Sequence, residues 1–175
     1  MGLLTREDIL RALEALAREL PAGRRAELAV VGGAALVLMY GARQSTKDVD
    51  AFVLGAEAGD AVHAAAGRVA VTLALPDDWL NDGAKGYVHG LVLGDVLFDQ
   101  PTLLVRTLAI EQLLAMKLCA WRDDVDVADA ALLLSKVAGQ RDEVWRQVQR
   151  FLVPGRELKA QYAFDDLWEG HRGSA

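Results

Sequence analysis

The sequence predicts a mixed α/β (α+β) core followed by a helical C-terminal region. Strand and helix signals alternate through residues 1–108, whereas only helical signals occur in residues 109–175. Elements mixed first and helices alone afterwards are what a sheet-and-helix core with a helical extension produces. The chain has 175 residues, 53% apolar and 25% charged, which is enough for a proper core and far from the composition of disordered chains. The core is therefore placed at 1–108 and a helical region packed on it at 109–175.

Residues 5–20 read as a helix. Thr5 and Asp8 fit a capping box, and Ile9, Leu10, Leu13, Leu16, Ala17 and Leu20 recur at helical spacing until Pro21 and Gly23 stop them. The apolar run 28–31 ends in Gly32-Gly33, as a buried strand feeding a tight turn does, and a short helix is expected over 34–40. A polar loop over 41–47 leads to a second strand over 48–54, closed by Gly55. An Ala-rich helix is expected over 60–67, then a strand over 68–75, where apolar residues alternate as far as Pro76. Strands over 91–98 and 103–108 flank the turn Asp99-Gln100-Pro101. Helices follow over 110–121, 127–137, 142–152 and 156–168, with Gly139 and Pro154-Gly155 as breakers.

Composition narrows the function classes. With 19 basic and 25 acidic residues the formal net charge is −6, so the whole molecule is no electrostatic sponge for phosphate backbones, and a nucleic-acid partner needs a local basic patch. Arg141, Arg146, Arg150, Arg156 and Lys159 concentrate positive charge near the end of the chain, either as such a patch or as a solvated face balanced by Asp142, Glu143 and Glu157. Cys119 is the single cysteine, without companions at zinc-ligand spacing, and reads as packing. His63, His89 and His171 are scattered and receive no role. No uncharged apolar run reaches the ~18–20 residues of a membrane span, and Arg6, Glu7 and Asp8 stand where a signal peptide would be apolar. A cytoplasmic protein without a membrane partner is expected.

The chemistry gathers around two short motifs. Asp48 and Asp50 are two apart in a strand-like segment, so both carboxylates face one side, and convergent carboxylates hold hard divalent cations. On the pair alone a solvated strand end is the simpler reading, because acid-x-acid pairs arise by chance roughly two or three times in such a chain. Gly32-Gly33, between strand and helix, lets backbone N–H groups approach an anion at the helix N-terminus, though adjacent glycines also make ordinary turns. Neither a Walker A loop nor G-x-G-x-x-G is present. The Gly-containing loop 79–86 carries Asn81, Asp82 and Lys85, which either line a ligand site or form a plain turn.

Taken in order, Gly32-Gly33, a helix, then Arg43-Gln44-Ser45-Thr46-Lys47-Asp48-Val49-Asp50 entering a strand, the segment resembles the nucleotidyltransferase superfamily of the DNA polymerase β type. It is most similar to the bacterial branch of AbiE-type toxin nucleotidyltransferases and related uncharacterised proteins. There an Arg and a Ser or Thr precede the Asp pair, as Arg43 and Thr46 do here. Downstream, Glu111 to Leu118 looks like the family's helix with a functional Lys, here Lys117, and Arg122 with Asp126-Val127-Ala128-Asp129 looks like its following Arg and Asp-x-x-Asp. Without the upstream motif, Lys117 would read as a surface lysine on an amphipathic helix.

The resemblance implies a small mixed sheet flanked by helices, then a helical bundle, and a Mg²⁺-dependent (or Mn²⁺-dependent) enzyme that moves a nucleoside monophosphate from a nucleoside triphosphate. Asp48 and Asp50 would hold the metal. Gly32, Gly33, Arg43, Ser45, Thr46 and Lys117 would bind the nucleotide, and Lys117 and Asp126 would complete the catalytic set. It further implies a tRNA acceptor in a toxin–antitoxin or defence setting, an antitoxin partner, and no readout of DNA sequence. The pattern departs in one respect. The strand over 103–107 lacks the third metal carboxylate often found there, leaving Asp99 or Asp95 as substitutes. A degenerate nucleotide- or partner-binding module, or a small-molecule transferase of the antibiotic-modifying kind, are the alternatives.

Overall fold

A computed structural model describes residues 2–40, 43–55 and 57–172. Gly41 and Ala42, at the start of the polar loop expected over 41–47, lie outside the described residues. The chain groups into two compact units: residues up to 84 with 93–107, and residues 85–92 with 108 onward.

The first unit is built on a five-stranded mixed sheet. In chain order its elements are β1 (Leu4–Thr5), α1 (Arg6–Glu19), β2 (Ala26–Val30), α2 (Gly32–Tyr40), β3 (Ser45–Thr46), β4 (Val49–Leu54), α3 (Gly59–Leu73), β5 (Leu80–Asn81), β6 (Leu93–Gln100) and β7 (Leu103–Leu108). The sheet order is β5-β4-β2-β7-β6. β2 lies at its centre, antiparallel to β4 and parallel to β7, and its Leu28, Ala29 and Val30 are fully buried, which explains the continuous apolar run. Thr5 caps α1 through the expected box with Asp8, and the helix buries Ile9, Ala12, Leu13, Leu16 and Ala17. β1 pairs with β3, matching Leu4 with Thr46.

The strand expected over 68–75 is instead the second half of α3. Alternation would put Val69 and Val71 on one face, yet Val69 is fully buried and Val71 is 82% exposed. The buried set Val62, Ala65, Ala66, Val69 and Ala70 follows the helical period without interruption through Gly67. Local alternation of small apolar residues satisfied both periods, and packing chose the helical one. Ala74, in the left-handed conformation, then ends the helix. Next, Trp79 is fully buried and its indole N–H donates to Ala66 O at 3.0 Å, which fixes the approach to β5.

The second unit is helical: α4 (Ile110–Ala120), α5 (Asp124–Leu134), α6 (Arg141–Gln149) and α7 (Glu157–Arg172), preceded by the end of a 3-10 turn (Gly83–Tyr87). α4 is the hub, contacting α5, α6 and α7. Its fully buried Gln112 donates to His89 O and Gly90 O and accepts from the Val92 N–H, so one side chain satisfies three backbone groups of the segment 85–92. Cys119 is buried in the same helix, as its packing role requires. No helix among the described residues is long and apolar enough to cross a membrane.

Candidate active site

The site residues of the first unit meet where β2 ends and α2 begins. The Val31 N–H donates to Asp50 O at 2.9 Å, continuing the β2–β4 ladder to the last residue before the glycines. Gly32 then takes φ +62°, a left-handed turn that lets the chain enter α2 at once. A Cβ at position 32 would stand 3.1 Å from Asp50 Oδ2, and one at position 33 would stand 2.6 Å from Thr46 Oγ1 and 2.9 Å from an Arg43 guanidinium nitrogen. The two glycines are thus needed for close approach. The first faces a carboxylate, the second a hydroxyl and a guanidinium.

Each of these partners is placed by its own backbone. Thr46 is 4% exposed and held by the β1–β3 pairing, while Arg43 Nε donates to Ser45 O at 3.0 Å. Asp48 lies just before β4 and Asp50 within it. β5 runs parallel to β4, with Asp50 opposite Asn81. Asn81 Nδ2 donates to Asp48 Oδ2 at 3.1 Å, and Asn81 Oδ1 accepts the Gly83 N–H at 2.8 Å. A Cβ on Gly83 would lie 3.5 Å from Asp50 Oδ1. The turn 81–83 therefore touches both carboxylates.

Of the residues expected here, the structure brings Gly32, Gly33, Arg43, Thr46 and Asp50 into mutual reach, with Ser45 contributing its carbonyl and Asp48 joined through Asn81. Asn81 had two sequence readings, and Gly83 had none. The pairing of β5 beside β4 puts Asn81 against Asp48, and pairing across an intervening helix leaves no local signal.

Neither substitute carboxylate reaches the pair. Asp99 is ion-paired with Arg25, which precedes β2, so it sits at the opposite end of that five-residue strand, about 16 Å away. Asp95 is exposed on the edge strand β6, separated from β4 by β2 and β7, or about 14 Å of sheet. Among the described residues no group of three or more His, Cys, Asp or Glu is placed to hold a metal ion. Two carboxylates nevertheless fit Mg²⁺, which commonly keeps waters and binds through one or two carboxylates plus substrate phosphates. A cavity of about 850 Å³ opens at the other end of β2 and β4, lined by Leu20, Arg24, Ala26, Leu54 and Ala61 among others, and none of the expected site residues lines it.

In the second unit, Lys117 is only 11% exposed and its ammonium lies 2.9 Å from Asp126 Oδ1 and 2.7 Å from Asp129 Oδ2. Arg122 adds Nε and backbone N–H donors to Asp126 Oδ2 at 3.0 and 3.1 Å. Burial works to raise the pKa of Asp126, but the hydrogen bonds from Arg122 and Lys117 outweigh it and hold the carboxyl at about 2. Arg122 and Arg156 both lie over the Tyr87 ring, at 5.7 and 4.5 Å from its centre. Sequence reading named Asp129 in a motif without a role; the structure makes it the second carboxylate on Lys117.

Residues 8–142, about three quarters of the chain, match the model of a family described as nucleotidyltransferase of unknown function (DUF6036). The chain belongs to this nucleotidyltransferase family. No curated protein and no solved structure gives a significant match. The mixed α/β architecture, with a glycine turn at the end of one strand and an Asp pair at the start of its neighbour, is consistent with a nucleotidyltransferase-like fold. Nucleoside monophosphate transfer is the general activity that membership of such a family implies.

Proposed function

We propose that the protein transfers a nucleoside monophosphate from a nucleoside triphosphate to a macromolecular acceptor, with Mg²⁺ or Mn²⁺ as cofactor. One observation carries the reading. Adjacent glycines approach opposite charges, Gly32 the Asp50 carboxylate and Gly33 the Arg43 guanidinium, so a cation-receptive and an anion-receptive corner lie one residue apart. A bound metal ion and a phosphate oxygen together match that pairing of opposite charges. The helix N-terminus at Gly33 reinforces the anion-receptive side.

Asp48 and Asp50 would hold the ion, which when bound offsets charge on the triphosphate and its leaving group. Gly33 and Thr46 would donate to phosphate oxygens and Arg43 would counter their charge, with Ser45 O steering the guanidinium. Lys117 and Asp126 are the other proposed members of the catalytic set, and within the second unit Asp126 holds the Lys117 ammonium at 2.9 Å. The acceptor hydroxyl attacks the α-phosphorus, its proton leaves to solvent or a carboxylate, and pyrophosphate departs. For the acceptor we propose tRNA, in a toxin–antitoxin setting with an antitoxin partner, following the AbiE-type resemblance. Arg146 in α6 and Arg150 just after it are exposed, each with Nε on a carbonyl of its own helix, and are the basic residues we propose for RNA.

A second reading, triphosphate binding without turnover, is favoured by the lack of a third carboxylate beside Asp48 and Asp50 among the described residues. Incubating the protein with each labelled nucleoside triphosphate, Mg²⁺ and total bacterial RNA separates the two. Transfer predicts label on a tRNA-sized band, reduced at least ~10²–10³-fold in Asp50→Ala, the scale of a removed electrostatic stabiliser. Binding without label on RNA or protein supports the second reading.

A further inference from the structure

We infer that Asn81 is a positioning residue for the metal-binding carboxylates, orienting them through a neutral amide without adding charge of its own. The inference rests on the proposed metal site. Three of the four hydrogen bonds an asparagine amide can make are accounted for. Nδ2 donates to Asp78 O at 3.2 Å and to Asp48 Oδ2 at 3.1 Å, and Oδ1 accepts the Gly83 N–H at 2.8 Å. The backbone on both sides of Asn81 thus clamps its amide, and the remaining donor is spent on one oxygen of Asp48. Oδ1 of Asp48 is the oxygen that this bond leaves for a cation. Because the donor is neutral, Asp48 keeps its full negative charge toward the ion, which a lysine or arginine at that place would cancel. Outer-shell partners of this kind orient ligands and commonly set metal affinity by 10- to 100-fold.

The same amide reaches the second carboxylate through the backbone. By accepting the Gly83 N–H, Asn81 sets the turn whose Gly83 stands beside Asp50 Oδ1, on the side opposite Gly32 beside Oδ2. Asp50 is therefore bracketed by two glycines, one before α2 and one held by Asn81. Only residues of the first unit take part.

The test is Mn²⁺ titration of the full chain without nucleotide, followed by the electron paramagnetic resonance signal of free Mn²⁺, for wild type, Asp50→Ala, Asn81→Ala and Asn81→Asp. Asn81→Ala should weaken Mn²⁺ about tenfold. Asn81→Asp keeps the Gly83 bond but loses both Nδ2 donations, to Asp48 Oδ2 and Asp78 O, and sets a third carboxylate about 3 Å from Asp48 Oδ2, whose added charge should make it bind Mn²⁺ more tightly than wild type. A residue that merely supports the loop would shift both variants in the same direction or neither, and either result overturns the inference. Should Asn81→Ala fail to fold, the isosteric Asn81→Asp decides alone, since unchanged or weaker Mn²⁺ binding overturns it. Loss of Mn²⁺ binding in Asp50→Ala with wild-type affinity in both Asn81 variants sinks only the role of Asn81. Wild-type affinity in Asp50→Ala sinks the metal site itself.

Discussion

Gly33→Ala probes the anion-receptive corner with a single methyl group. Gly33 lies in the first turn of α2, where alanine is intrinsically favoured over glycine by at most about 1 kcal/mol. Against this, the new Cβ would lie 2.6 Å from Thr46 Oγ1 and 2.9 Å from the Arg43 guanidinium, well inside ordinary contact. Thr46 is buried and tied by β3 to Leu4, so the longer Arg43 side chain gives way first. Overpacking of this kind costs about 1–3 kcal/mol, leaving a net stability loss of roughly 0–2 kcal/mol. Displacing the guanidinium removes a charge-assisted bond to phosphate worth about 1.5–3 kcal/mol, which predicts a 10- to 100-fold rise in the Kd for nucleoside triphosphate. Gly67→Ala is the control, because it sits within α3 with nothing within 4 Å of a Cβ and should stabilise by about 0.5–1 kcal/mol. Calorimetric titration with a non-hydrolysable triphosphate and thermal melts read both quantities. If Gly33→Ala bound the triphosphate as wild type does and melted higher, as Gly67→Ala should, the glycine would be an ordinary helix residue and the phosphate corner would be refuted.

Two further outcomes concern the second unit. Lys117→Met leaves Asp126 and Asp129, 3% and 9% exposed, facing each other without their shared cation, and should cost about 3 kcal/mol in a urea denaturation series, near the low end for a broken buried pair because Arg122 remains on Asp126. With the folded pKa of Asp126 at about 2 against an ordinary 3.8, its ionised form contributes about 2–3 kcal/mol that is fully present above pH ~4 and is lost as pH falls toward 2. Asp126→Asn should flatten that part of the stability–pH curve, and an unchanged acid slope would remove Asp126 from the account.

What could be read from the sequence was what local chemistry dictates. Thr5 and Asp8 announce the start of α1, and Leu103 to Leu108 form the strand expected, because capping and β-rich runs leave their marks within a few residues. The segment 68–75 shows the limit, since Val69, Val71 and Leu73 alternate in sequence while the helical phase that places them is already set at Val62, two turns before Val69. The site divides in the same way. Two consecutive glycines after an apolar strand announce a close approach, but not what approaches. That depends on register, on Asp50 lying beside Val31 and on Thr46 being pinned through β3 to Leu4. Asn81 is the sharper case, because its contact with Asp48 requires β5 to return parallel to β4 after the whole of α3. A parallel neighbour always arrives by such a crossover, so its side chains are the ones a sequence motif is least able to name. The strand 103–107 and its hairpin lie across β2 from β4, on the side away from β5. The residue in contact with Asp48 lies on the far edge of the sheet, and it is an amide.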